Sequence, residues 1–157
     1  MTEKGIEKRL FQHGVPWEAA YGYHQAVQVG NTLFIAGQLS HDDAGNLIGP
    51  ASVDASGRIT DASNMELQMR TAYGNAAKVL AFFGATLTNV VHEVIYTTDV
   101  DATFAVAGRV RKEVFGTQAP ECTSTLVGTT RLAFPQQLVE ISFTAVLSAE
   151  PGDRGAR

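Results

Sequence analysis

The sequence predicts an α+β domain, a β-sheet with two helices laid on one of its faces, and three observations carry this. The chain order reads strands, helix, strand, helix, strands. Each of the two helical segments owns a single apolar stripe, and such an element must bury that stripe against a neighbour. The last segment, "QQLVEISFTAVL", alternates with a two-residue period: Val139, Ile141, Phe143, Ala145 and Leu147 fall on one face, Leu138, Glu140, Ser142 and Thr144 on the other. With both helices on one side, the second sheet face stays open in a single chain. Its residues are mixed rather than fully polar, which points to packing against other copies of the chain.

Each element has its own local justification. "KRLFQHG" predicts a short first strand, followed by a loop carrying Pro16 and Trp17. In "YHQAVQVGNTLFIAGQLS", the apolar stretches 26–29 and 32–39 flank "GN", a two-residue hairpin connection. The stretch from His41 to Ala62 is rich in Gly, Asp, Ser and Pro and reads as a long loop, either mobile or tied down by a partner surface. A helix follows. Ser63 or Asp61 suits its cap, with Glu66 placed as in a capping box. Met65, Met69, Ala72, Tyr73, Ala76, Leu80 and Phe83 make its stripe, and Gly84 suits its end. "NVVHEVIYTTDV" is rich in β-branched residues and predicts a central strand. The second helix, "DATFAVAGRVRKEVFG", is expected to turn Phe104, Ala107, Val110 and Val114 inward and Arg109, Arg111 and Lys112 outward. "TSTLVGTT" and "LVEISFTAVL" are the final strands, parted by a bend at Pro135, and the tail 148–157 reads as disordered.

Bulk properties narrow the function classes. At 157 residues the chain fits one domain able to bury roughly 70% of its unfolded surface. A net charge of −4 and a pI near 5.5 argue against a nucleic-acid partner, which needs a basic stripe. Lys4, Lys8 and Arg9 are interrupted by Glu7 and read as a solvated edge. The single cysteine, Cys122, has no disulfide partner within the chain. His13, His24, His41 and His92 show no metal-ligand spacing, and nothing calls for a cofactor. No segment resembles a signal peptide or a membrane span, so a soluble cytoplasmic protein is expected.

The run "YHQAVQVGNTLFIAGQL", the segment "NAAKVLAFFGATLTNVVHEVIYTTDVDATF" and the ending "LVEISFTAVL" resemble, in the same order, the RidA/YjgF family, also labelled reactive intermediate deaminases or L-PSP endoribonucleases. The match runs from about Lys8 to Leu147. It implies an α+β subunit with a mixed sheet backed by two helices, of the YjgF/chorismate-mutase-like kind. It also implies a homotrimer with a barrel-like core of packed sheets and a small-molecule cleft at each subunit interface. Carried over position by position, the family's tyrosine falls on Tyr23, with Gln25 following. Its small-Gly-Gln turn falls on Ala36, Gly37 and Gln38, and its final carboxylate on Glu140. In that cleft Glu140 would handle water, Tyr23 and the Gly37 backbone would hold the substrate, and Gln38, Ser124, Thr125 and Leu126 would complete the pocket.

One departure redirects the chemistry. Deaminase members carry an arginine on the strand after the second helix, where its planar fork grips the carboxylate of a 2-imino acid. Here Ser124, or with a shift of one Thr123, takes that place; Leu126 falls where a cysteine is common, and the family's second-helix asparagine falls near Gly108. On a regular strand Arg131 has the opposite parity to Ser124, and it substitutes only if the approach to the bend changes its face. The expected activity is therefore hydrolysis of an imine or enamine other than the usual 2-imino acids. A non-catalytic metabolite- or protein-binding module is the alternative, and RNA cleavage ranks last.

Overall fold

The computed structural model of the chain describes residues 5–148; the tail read as disordered lies almost wholly outside them. In chain order the elements are β1 (Arg9–Phe11), α1 (Pro16–Tyr21), β2 (Ala26–Val29), β3 (Thr32–Gln38), β4 (Ser52–Val53), β5 (Ile59–Asp61), α2 (Met65–Phe82), β6 (Val90–Thr97), α3 (Val100–Phe115), β7 (Thr123–Gly128) and β8 (Val139–Val146). Six strands form one sheet in the order β1-β2-β3-β8-β6-β7, and β4 pairs with β5 in a separate ribbon. All pairings in the large sheet are antiparallel except β6 with β7, whose connection runs through α3. The sheet is mixed, and α2 and α3 lie on one face of it.

The alternation read from the last strand places the core. Val139, Ile141, Phe143 and Ala145 are buried toward the helices, while Glu140, Ser142 and Thr144 are half-buried on the opposite face. Leu138 is the exception: it precedes the strand, is fully buried, and its carbonyl accepts from Thr98 N and Thr97 Oγ1. On α2 the apolar stripe is joined by Val79 and by two buried amides, Gln68 and Asn75.

Those amides explain the stretch from His41 to Ala62. Gln68 Nε2 donates to the carbonyls of Gly49 and Gln136 at 2.8 and 3.0 Å, and its Oε1 accepts from Leu138 N at 2.8 Å. Asn75 Nδ2 donates to the carbonyls of Leu39 and His41. The segment is therefore fastened by the chain's own helix, and it contains the β4–β5 ribbon and a bridge between His41 and Leu47.

Other expectations are corrected. The Pro16–Trp17 stretch is helical: Pro16 opens α1, Gly22 closes it with φ 69°, and the Glu18 carboxylate accepts from the backbone of His13 and Gly14. Asn64, not Ser63 or Asp61, occupies the N-cap position of α2, with its side chain turned to the Pro50 carbonyl instead of the helix; Ser63 and Asp61 bond each other in a turn, and Glu66 pairs with Arg70 and Arg109. Phe104 is 69% exposed, while Thr103 takes the inward place and hydrogen-bonds Thr97. Arg111, expected in solvent, reaches under α3 to the fully buried Glu93 at 2.6 Å, and Tyr73 donates to the same carboxylate at 2.8 Å. Burial and the neighbouring carboxylate push the Tyr73 phenol well above its ordinary range.

Two stability outcomes are expected. Gln68→Ala strands the buried Leu138 amide and removes the side-chain donor to the carbonyls of Gly49 and Gln136, the latter still accepting from Ala51 N; it lowers unfolding free energy by about 2 kcal/mol, read from the urea midpoint at unchanged m-value. Arg111→Met leaves Glu93 buried without its cation and costs about 3–5 kcal/mol near neutral pH; adding Glu93→Gln to that variant restores part of the loss.

Candidate functional site

One cleft of about 560 Å³ opens beside the end of the open sheet face. Three segments build it. The residues Pro16, Trp17, Ala20 and Tyr21 of α1 form one wall and lead into Tyr23. Ala36, Gly37 and Leu39, at the end of β3, form the floor, where Glu140 rises from β8. Ala133 and Phe134, from the connection between β7 and β8, close the far side.

Glu140 owes its position to a β-bulge. Ile35 pairs with Phe143 and Gln38 with Ile141, so β3 carries one residue more than β8 at Ala36–Gly37. The bulge re-phases β3 and brings a glycine under the carboxylate. A Cβ at Gly37 would lie 2.0 Å from Glu140 Oε1, so the side chain rests on bare backbone. Across the sheet Glu140 is registered with Tyr96. Its single side-chain partner is neutral: Gln137 Nε2 donates to Oε2 at 3.0 Å.

Tyr23 stands at the end of a hydrogen-bonded chain. His13 Nε2 meets Gln38 Oε1 at 2.9 Å, Gln38 Nε2 donates to Gln25 Oε1 at 2.8 Å, and Gln25 Nε2 donates to the Tyr23 hydroxyl oxygen at 3.4 Å. The direction of the chain is set by Ala36, whose carbonyl accepts from Gln38 Nε2 and cannot donate. With its oxygen already accepting from Gln25, Tyr23 keeps its own proton to donate into the cleft. Burial raises the phenol above its usual range, the Gln25 bond opposes this, and the Glu18 and Glu140 carboxylates reinforce it. Burial lowers the His13 imidazole below its ordinary value against the pull of the Gln38 bond.

The structure thus brings Tyr23, Gly37 and Glu140 together at the cleft. Gln38 is buried one layer behind it. Ser124 and Leu126 stand elsewhere: β7 is registered with β6 so that Ser124 lies beside buried Glu93, on the helix face, where its Oγ receives a bond from Arg111 at 2.7 Å. Leu126 lies beside Ile95 on the same face. Thr123 and Thr125, beside His92 and Val94, are on the open face, and Thr123 Oγ1 bonds His92. Arg131 is exposed in the β7–β8 connection and is not part of the cleft wall.

Sequence reading missed Trp17, Tyr21, Phe134 and His13. Trp17 and Tyr21 were hidden by reading α1 as loop; the Pro16 and Gly22 boundaries were the signal. No local pattern marks Phe134, whose ring meets Trp17 edge-on at 5.6 Å. Among the described residues no group of three or more His, Cys, Asp or Glu side chains could hold a metal ion, and no helix is long and apolar enough to cross a membrane.

Residues 15–147 match the family model described as Endoribonuclease L-PSP. An uncharacterized protein of Streptomyces coelicolor, SCO2049, is 28% identical over 130 residues, 81% of this chain and 83% of that protein. Among solved structures, Rv2704 of Mycobacterium tuberculosis, a member of the YjgF/YER057c/UK114 family, is 28% identical with a TM-score of 0.67, over 90% of this chain and all of that one. RidA from an Antarctic Psychrobacter is 25% identical with a TM-score of 0.64, over 80% and 88% of the two chains.

Two outcomes follow from the geometry. Gly37→Ala meets only the flexible end of Glu140, so it costs about 1 kcal/mol in a thermal melt, while a crystal structure of the variant shows the carboxylate displaced from the floor. For His13, folding favours the neutral ring, so its nuclear magnetic resonance titration midpoint falls below 6.5. The unfolded chain then binds more protons just below that value, and stability rises with pH through that window; His13→Asn flattens this dependence.

Proposed function

Because the chain belongs to the Endoribonuclease L-PSP family, the family of the YjgF and RidA proteins, we propose that it binds small metabolites in the cleft around Glu140 and hydrolyses a compound with a carbon–nitrogen double bond. The observation that carries this reading is the meeting of one carboxylate, one donating phenol and a bare glycine backbone in an otherwise apolar cleft. Water adds to the imine carbon while Glu140 takes its proton, and the carbon–nitrogen π electrons move to nitrogen. Tyr23 holds the nitrogen or the new hydroxyl by hydrogen bonding. Glu140 passes this proton to nitrogen, then takes the proton of the new hydroxyl and hands it on as the carbon–nitrogen bond breaks, so ammonia leaves and a carbonyl compound remains.

The usual 2-imino acids do not fit this cleft. No guanidinium lines it, and a substrate carboxylate would face Glu140 instead of a cation. The same charge balance opposes RNA cleavage, despite the family's name: the chain carries a net charge of −4, and phosphate binding needs the reverse. Since Glu140 is the one ionisable carboxylate of the lining, a non-catalytic binding module is the second reading.

Assembly completes the proposal. Phe34 is 53% exposed, and Val94, Tyr96 and Val127 share its open face; no element of the described chain covers them. A homotrimer packed through these faces buries them.

Ammonia release from a panel of freshly generated imines checks the activity. Release above background is expected for imines without a carboxylate, with a loss of about 100-fold in Glu140→Gln. Release at background rate across the panel, with ligand binding retained, leaves the non-catalytic module standing. Light scattering is expected to give three subunit masses, and a single subunit mass overturns the assembly.

A further inference from the structure

The cleft's walls carry more chemical information than its catalytic pair. Four aromatic side chains line it: Trp17, Tyr21, Tyr23 and Phe134. Trp17 is braced edge-on by Phe134 at 5.6 Å and by His41 at 5.2 Å, so its ring is held in place. Tyr21 stands at the mouth, 81% exposed, with little of the chain packed against it. Among this lining sits Glu140, with a neutral amide as its partner and no ion pair among the described residues. No lysine, arginine or histidine lines the cleft.

The surroundings carry the same sign. Glu18, buried behind the α1 wall, spends its oxygens on two backbone amides and stays near enough to Tyr23 to act on its titration alongside Glu140. The open-face residues of β6 and β7 are His92, Val94, Tyr96, Thr123, Thr125 and Val127, so those strands of a neighbouring copy bring neither Arg nor Lys. Ring faces present negative charge to a ligand, and a carboxylate beside them adds a full one.

We infer that the cleft takes an organic cation, an iminium or ammonium group on an apolar body, with the positive charge between the aromatic walls and Glu140. The inference rests on the ligand-binding part of the proposed function and specifies its substrate as a protonated imine. The step balances without any further reactant: one iminium ion and one water give one carbonyl compound and one ammonium ion. The new carbon–oxygen bond comes from water, the carbon–nitrogen bond breaks, and both protons of that water pass in turn from oxygen to nitrogen by way of Glu140. A cationic ground state is also the more electrophilic one, so the carboxylate that recognises the charge is the one that delivers water.

Trp17 is the chain's single tryptophan, so its fluorescence reports on the cleft wall directly. The probes are benzyltrimethylammonium, phenylacetamide and phenylacetate, each titrated into the intact protein. Benzyltrimethylammonium is expected to bind about tenfold more tightly than phenylacetamide, with phenylacetate weakest, and to weaken as salt is raised. Glu140→Gln brings the cation to within about twofold of the amide. Phe134→Leu, which keeps apolar bulk, weakens the cation about threefold and leaves the amide unchanged. Phenylacetate binding as tightly as the cation, cation binding indifferent to Glu140→Gln in a variant that melts like the parent, or no saturable binding of the cation overturns the inference. Cation preference without ammonia release from any imine sinks hydrolysis and leaves the inference intact. Ammonia release that favours anionic imino acids over cationic imines does the reverse.

Discussion

The parity of β8 governs the molecule. This strand lies between β3 and β6, antiparallel to both, so its register is fixed from two sides. A slip by one residue would turn Val139, Ile141, Phe143 and Ala145 out of the core and drive Glu140 into it. A carboxylate buried without a partner is costly enough to forbid that alternative. Glu140 is therefore on the open face because four apolar neighbours must be on the other. The bulge at Ala36–Gly37 then decides where the carboxylate rests, and the same extra residue turns Gln38 inward toward Gln25 and His13.

Charge is partitioned by the sheet. On the helix side Arg70 and Arg109 engage Glu66, and Arg111 neutralises Glu93 while holding Ser124. On the cleft side Glu140 has only an amide. A guanidinium does sit beside Ser124, but it comes from α3, points into the core and is occupied there. The two faces of one edge strand thus serve unlike ends: Ser124 braces a buried ion pair, while Thr123 and Thr125 look outward.

Much of this was legible in the residues. Two apolar stripes, a "GN" hairpin and one strict alternation place both helices, most of the sheet and the face of Glu140. What escaped was written at longer range. The role of Arg111 depends on Glu93, eighteen residues away and on another element; a charged residue beside an exposed helix face looks solvated until that partner is placed. Ser124 was assigned by alignment alone, and the parallel register with β6 reverses the face expected for it. The helix at Pro16 is shorter than two turns and shows no apolar period; proline at its start and glycine at its end were its whole local signature. Phe134 reaches the cleft only because the β7–β8 connection folds back, which no spacing rule reports.

The amide of Gln68 ties together residues 49, 68 and 136–138, three stretches far apart along the chain. None of those bonds can form until α2 has docked and β8 has found its place. The loop that follows β3 is therefore held at Gly49 through the helix layer. Hydrogen exchange at the amides it protects should report cooperative opening of that layer rather than local fraying. In this protein a segment with the composition of a flexible connector is tied to the core through two side-chain amides of one helix.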